Sequence, residues 1–284
     1  MERRVLGKTN ERLSIVGFGG MLVRDETQET ANRLVAQAIE RGVNYFDVAP
    51  SYGNAQERLG PALKSYRQDV FLACKTLERF KGPAIAELRE SLRLLQTDYI
   101  DLYQFHAIST AEDVAQITGA GGALEAFEAA RRDGVIRYIG CSAHSEDAAL
   151  ALLDRAELDS VLYPINYVCW HQGQFGRRLL EAARQRGMGI LALKAMARRA
   201  LKDDETRIWS KCWYAPAETF EEAKLALRFT LSRPVTAALT PGHEQFFRWA
   251  CDIADAFRPL SAAEEALAVE HSAGLQPLFP LQDE

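Results

Sequence analysis

Short apolar runs that stop at a polar residue alternate with amphipathic helical stripes along almost the whole chain, and this alternation leaves few folds open. Residues 27–41 put Ala31, Leu34, Val35, Ala38 and Ile39 on one helical face, and Gly42 can end the helix with a positive φ. The run VNYF that follows stops at Asp47, as a buried strand does where it emerges into a loop. The order then recurs, with strand-like VFLACK, YIDLYQFH, VIRYIGCS, SVLYPIN, MGILALK and VTAAL separated by helical patterns at 84–95, 123–132, 146–155, 175–186 and 220–231. Seven strands thus begin near residues 43, 70, 99, 135, 160, 188 and 235.

Repeated βα units require parallel strands, with helices on both faces of an open sheet or around a closed barrel. Closure is favoured because polar residues recur at the strand ends: Asp47, Lys75, His106, Ser142, Asn166 and Lys194. A barrel gathers such ends at one mouth, whereas an open sheet spreads them along an edge. The expected fold is therefore α/β, a (β/α)8 TIM barrel forming one domain over residues 1–284, with additional C-terminal helices at 244–257 and 262–270 and an irregular tail. The eighth strand is expected in the irregular stretch before Phe220, unless the unit count is displaced elsewhere. That stretch, 194–220, also reads as a loop folding over the mouth or as a surface excursion.

Composition narrows the function. The 284 residues carry a formal net charge of −5, so there is no basic surplus to exchange for the counterions of a nucleic acid. The five cysteines, an odd number without CxxC spacing, suggest neither a disulfide framework nor a thiolate metal site, and they fit a reducing cytoplasm. The N-terminal residues do not resemble a signal peptide, and no apolar run approaches the roughly 20 residues needed to span a bilayer.

Four polar residues at the ends of three successive strand units form a chemically coherent set: Asp47 and Tyr52 in DVAPSYG, Lys75 in FLACK and His106 in LYQFH. Hydride reduction of a carbonyl leaves negative charge on oxygen, which a proton must quench. A phenol with a reference pKa of about 10 is a reluctant donor. A lysine cation beside it stabilises the phenolate, which predicts a lowered pKa for Tyr52. Asp47 would keep Lys75 charged, and His106 would donate a hydrogen bond to the substrate oxygen. Each residue also has a plain structural reading, as a loop cap, a packed ring, a solvated lysine or a core histidine; convergence at one mouth is what favours the chemical one.

FGG at 18–20, NYFDVAPSYG at 44–53, ERLG at 57–60, FLACK at 71–75, LLQTDYIDLYQFH at 94–106, GVIRYIGCS at 134–142 and TPG at 240–242 appear in that order. The ordered set resembles the aldo-keto reductase superfamily over nearly the full length. The resemblance implies a barrel with an N-terminal β-hairpin, an NAD(P)H-dependent reaction on a small carbonyl compound, and a tetrad of Asp47, Tyr52, Lys75 and His106. It is similar to a branch of oxidoreductases some of which carry a C-terminal iron–sulfur module, for which this chain lacks clustered cysteines. Where the family holds the nicotinamide carboxamide with a Ser-Asn pair, Ser142 matches and Ala143 stands in the asparagine position, leaving His144 and Asn166 as substitutes. Lys194 and Gly242 are candidates for the cofactor phosphates and Arg248 for a 2′-phosphate. The implied cofactor is NADPH, with NADH open, and the expected assembly a monomer or weak homo-oligomer with neither nucleic acid, membrane nor metal partner. Trp170, Trp209, Trp213 and Tyr214 are candidates for an apolar substrate wall. Two other functions stay in view: a Schiff-base lyase or isomerase using Lys75, and a cofactor-binding regulatory protein without turnover.

Overall fold

The computed structural model describes residues 1–280. The last four residues of the expected tail, 281–284, lie outside the described residues. The strands, in chain order, are β1 (Arg3–Val5), β2 (Arg12–Ser14), β3 (Val16–Gly19), β4 (Tyr45–Asp47), β5 (Phe71–Thr76), β6 (Ile100–Ile108), β7 (Ile136–Ala143), β8 (Ser160–Pro164), β9 (Gly189–Leu193), β10 (Ala197–Ala200), β11 (Tyr214–Pro216) and β12 (Ala237–Leu239). The helices are α1 (Gln28–Glu40), α2 (Ala55–Leu63), α3 (Lys81–Leu95), α4 (Ala111–Thr118), α5 (Ala123–Arg132), α6 (Glu146–Leu153), α7 (Tyr167–His171), α8 (Arg177–Gln185), α9 (Phe220–Leu231), α10 (Glu244–Asp255) and α11 (Ala262–Ser272).

Eight parallel strands close in the order β12-β3-β4-β5-β6-β7-β8-β9, giving the expected (β/α)8 barrel; α10, expected as an additional helix, follows β12 and packs on α9 and β3 as the eighth helix of the barrel, and α11 lies beyond it against α7 and α9. The location of the eighth strand corrects the sequence expectation. It is β3, near the N-terminus, which pairs with β12 on one side and β4 on the other. The stretch before Phe220 instead contributes β10 and β11, an antiparallel pair outside the barrel. The sequence of β3, VGFG, has weak strand propensity because two of its four residues are glycine. Tertiary packing requires one of them: a Cβ on Gly17 would overlap the ring of Tyr45 and stand 2.9 Å from Leu239 Cδ2.

Side chains alternate between the barrel interior and the helical layer. Tyr45, Phe71, Ala73, Leu102, Leu162, Leu191, Ala237 and Leu239 form the inner cluster, into which the β1–β2 hairpin inserts Leu6 and Leu13. Both leucines are fully buried, so the hairpin plugs the N-terminal end of the barrel. Burying each contributes roughly 1.5–3 kcal/mol. Thr236 Oγ1 donates to the Val5 carbonyl at 3.1 Å and Arg4 donates to the carbonyls of Leu231 and Val235 at 2.9 Å, fastening the hairpin to the end of α9 and the approach to β12. The larger cluster lies between the strands and the surrounding helices. Among those helices, α2 has no clear signature in sequence because it contains Gly60 and Pro61; a side chain at Gly60 would collide with the Leu94 carbonyl at the end of α3.

Candidate active site

Continuing the inward phase of each strand toward its C-terminal end replaces apolar residues with polar ones. Asp47 stands two residues after Tyr45, Lys75 two after Ala73, and Gln104 and His106 two and four after Leu102. Asp47 and Lys75 are each 1% exposed and form an ion pair through Oδ1 and Nζ. The second carboxylate oxygen accepts hydrogen bonds from Tyr45 OH at 3.2 Å and Gln104 Nε2 at 3.1 Å. The sequence reading missed both donors. The signal was the two-residue period, since each lies two positions before a tetrad residue on its own strand.

Burial works to lower the Lys75 pKa, but the Asp47 charge, the neighbouring Tyr52 and the Asp47 hydrogen bond outweigh it and raise the value. Lys75 therefore stays protonated. Tyr52 lies in the turn between β4 and α2, where its N–H donates to the Ala49 carbonyl at 3.0 Å. Lys75 Nζ is 5.2 Å from the centroid of the Tyr52 ring, and that ring meets His106 edge-on with centroids 5.9 Å apart.

The phenol requires a correction. Burial pushes the Tyr52 pKa up, and although Lys75 pulls it down by charge and hydrogen bonding, the net value is raised above the ordinary 10 rather than lowered. Tyr52 thus retains its proton at neutral pH. His106 is pushed down to about 3, first by burial and then by the charges of Lys75, His144, Arg79 and Lys194, so its imidazole is neutral. Its Nδ1 lies 3.5 Å from Ser51 Oγ. A neutral imidazole carries one N–H and can donate one hydrogen bond without bringing a second cation next to Lys75.

The family model described as "Aldo/keto reductase family" matches residues 15–267. The chain belongs to the aldo/keto reductase family. The family is one of oxidoreductases that act on small-molecule carbonyl compounds. An uncharacterized oxidoreductase of Bacillus subtilis, YqkF, is 34% identical over 176 residues; the match covers 57% of this chain and 55%, just over half, of that protein. L-galactose dehydrogenase of Arabidopsis thaliana is 28% identical over 227 residues, covering 74% of this chain and 70% of the plant enzyme. The solved holo form of the aldo-keto reductase AKR11C1 from Bacillus halodurans superposes with a TM-score of 0.74 at 26% identity, covering 98% of each chain.

The aldo/keto reductase barrel gathers some of the sequence-derived cofactor candidates at its mouth and leaves others elsewhere. Ser142, near the end of β7, accepts a hydrogen bond from the Ala107 N–H at 2.9 Å. His144 stacks on Phe279 with centroids 5.0 Å apart, and burial followed by the Lys194 charge pushes its pKa down to about 4. Asn166 caps α7 by accepting from the Cys169 N–H at 2.8 Å, while its Nδ2 donates to the Lys194 carbonyl at 3.3 Å. Lys194 follows β9 with a positive φ of 62°, and its ammonium lies 5.1 Å from the Trp213 ring centroid and 4.9 Å from that of Tyr214. Gly242 packs beneath the 201–213 loop, where a Cβ would come within 3.0 Å of Lys211 Cβ. Arg248 is exposed on α10 and lines a groove with Gln37 and Glu40 of α1 and the adjoining Arg41, apart from the tetrad.

The 201–213 loop crosses to the segment after β3. Lys211 Nζ donates to Glu26 Oε1 at 2.8 Å and to the Leu22 carbonyl at 3.0 Å, and the Lys211 N–H donates to His243 Nε2 at 3.1 Å. Of the candidate aromatic wall, Trp213 and Tyr214 flank Lys194, whereas Trp209 packs on Phe246 and Trp170 on Phe229. The sequence reading also missed the tail residue Phe279, which meets Phe175 and Trp213 as well as His144. Among the described residues no cluster of His, Cys, Asp or Glu suits a metal ion, and no helix is long and apolar enough to cross a membrane.

Proposed function

We propose that this protein reduces an aldehyde or ketone with NAD(P)H, or oxidises the corresponding alcohol in reverse, using Tyr52 as the general acid. The observation that carries the reading is the convergence of a protonated phenol, a buried Lys75–Asp47 pair and a neutral imidazole within one polar layer at the top of the barrel.

The residues at the mouth fit a dinucleotide. Among the described residues the Lys194 ammonium has no carboxylate partner, and Thr240 Oγ1 at the end of β12 is buried without a hydrogen-bond partner. A lone cation and an orphan hydroxyl on neighbouring strands suit a phosphate. Lys194 would hold that phosphate, with His144, Ser142 and Asn166 toward the nicotinamide end and Gly242 toward the adenosine end; Arg248, in the groove against α1, lies outside this set. The bound cofactor supplies the hydride. NADPH is the preferred form in this reading and NADH the second.

The protein's own groups handle charge and protons. His106 donates its N–H to the carbonyl oxygen and favours the charge that develops there. Tyr52 passes its proton to that oxygen, and the Lys75 ammonium stabilises the phenolate left behind. Asp47 holds Lys75 in place, and Tyr45 and Gln104 hold Asp47. Leu77, Phe80 and Trp213, between 46% and 50% exposed, favour a substrate with an apolar portion.

The Schiff-base alternative requires a free amine at Lys75, whereas pairing with Asp47 keeps the lone pair protonated. A panel of aldehydes, ketones and sugars, followed by loss of reduced-cofactor absorbance, tests the proposal. Turnover of at least one carbonyl class is expected. Normal cofactor binding with no turnover across the panel would favour the regulatory alternative.

A further inference from the structure

Between Phe105 and Ile108, β6 carries one residue more than the facing strand: Phe105 pairs with Cys141 and Ile108 with Ala143, so three steps on β6 span two on β7. The extra residue is a bulge at His106 and Ala107, and Ala107 has a φ of +56°. That left-handed conformation disfavours a residue with a Cβ and persists where neighbouring contacts enforce it. A bulge also sets side-chain phase, since moving it by one residue turns each side chain it passes to the opposite face. Its position decides that His106 continues the inward phase of Leu102 and Gln104.

Two side chains hold this bulge. Ser142 Oγ accepts from the Ala107 N–H at 2.9 Å, and Arg79 Nη2 donates to the His106 carbonyl at 2.8 Å. Arg79 is itself fixed through Nε to Asp113 Oδ1 at 2.8 Å, and Asp113 Oδ2 accepts from the Ser109 and Thr110 N–H groups at the start of α4. The third guanidinium nitrogen, Nη1, is buried and has no partner among the described residues.

We infer that Arg79 is a positioning residue for His106: its guanidinium ties the backbone of the β6 bulge to the start of α4 and thereby aims the imidazole at the carbonyl. This inference rests on the role proposed above for His106. Arg79 acts through the histidine backbone. Its fork reaches the His106 carbonyl and Asp113 together, which the single ammonium of a lysine does not reproduce.

The test is a double-mutant cycle of Arg79→Met with His106→Gln, using purified full-length protein, plus Arg79→Lys and Asp113→Asn as milder variants. In the otherwise native protein Arg79→Met is expected to lower kcat on the order of 10- to 100-fold, with cofactor Kd unchanged, as for a small misplacement of a reacting group. In the His106→Gln background the same substitution should change kcat less than about twofold, because its target is already gone. Arg79→Lys and Asp113→Asn should give smaller losses of the same kind. Equal losses in both backgrounds, or no loss in the native one, overturn the inference. The ring signals of His106 in protein labelled with 15N-histidine give a second readout independent of turnover. They should shift or broaden in Asp113→Asn and in whichever Arg79 variants fold, while the other histidines keep their positions. An unperturbed His106 spectrum refutes the brace. If the native protein reduces no carbonyl, the proposed function fails, and these spectra still decide whether Arg79 positions the histidine.

Discussion

Lys75 and Asp47 neutralise each other where both are 1% exposed, and Asp47 is held in turn by Tyr45 and Gln104. Removing one partner leaves a buried charge without compensation. Asp47→Asn is therefore expected to cost about 3–5 kcal/mol of stability at neutral pH in urea unfolding. The folded Lys75 pKa is raised, so the contribution of the pair is fully present below the unfolded lysine value of about 10.4 and is lost as pH rises through the higher folded value. The gap between native and Asp47→Asn proteins should narrow as pH rises through strong alkali. A gap that stays unchanged there contradicts the pairing.

Lys194 and His106 make different pH signatures. Burial, partly offset by Cys212 and reinforced by Lys75, brings Lys194 down to about 8, so its charge is present below that pH and lost above it. Fluorescence titration of NADPH should show affinity falling on the order of tenfold as pH rises through that value, the size of a lost charged hydrogen bond. Lys194→Met should bind weakly and without that inflection. His106, at about 3, should contribute no inflection to carbonyl reduction between weakly acidic and neutral pH.

Leu6 is fully buried among Tyr45, Phe71 and Leu102 at the end of the barrel away from the tetrad. Leu6→Ala should lower unfolding stability by about 2–5 kcal/mol while leaving kcat unchanged well below the unfolding transition. A proportionate fall in kcat would mean that the plug also shapes the mouth.

The Lys211–Glu26 pair, 2.8 Å apart, fastens the 201–213 loop to the segment after β3. Glu26 is 36% exposed, so the pair is worth no more than about 1 kcal/mol. Glu26→Gln should speed cofactor release by a few-fold in stopped-flow displacement, without changing the tetrad. No change in release rate would separate the loop from cofactor retention.

The barrel was legible in the alternation of strand and helix patterns, and the clustering of Asp47, Lys75 and His106 in their places at the ends of apolar runs in the inward phase; Tyr52, in a turn, and the roles of the four rest on the family resemblance. The first barrel strand was not, because its identity lies in contacts. Gly17 yields its space to Tyr45, a requirement set by a residue 28 positions away. The 194–220 stretch misled for a related reason, since β10 and β11 are short and their pairing partners lie across an intervening loop. Tyr45 and Gln104 read as strand filler although their spacing marked them. The bulge had no local signature: Ala107 adopts a conformation that sequence associates with glycine or asparagine, and Arg79 and Ser142 supply what the local residues do not. The raised Tyr52 pKa was missed because the charge of Lys75 is visible in sequence and the depth of burial is not.

Single-turnover reduction with deuterated and ordinary cofactor, comparing native protein with Tyr52→Phe, bears most directly on the proton donor. The isotope effect establishes that hydride transfer is the step observed. The expected result is a fall in that rate of about 10²- to 10⁴-fold in Tyr52→Phe, with cofactor affinity unchanged. A hydride-transfer rate in Tyr52→Phe equal to that of the native protein would contradict Tyr52 as the acid.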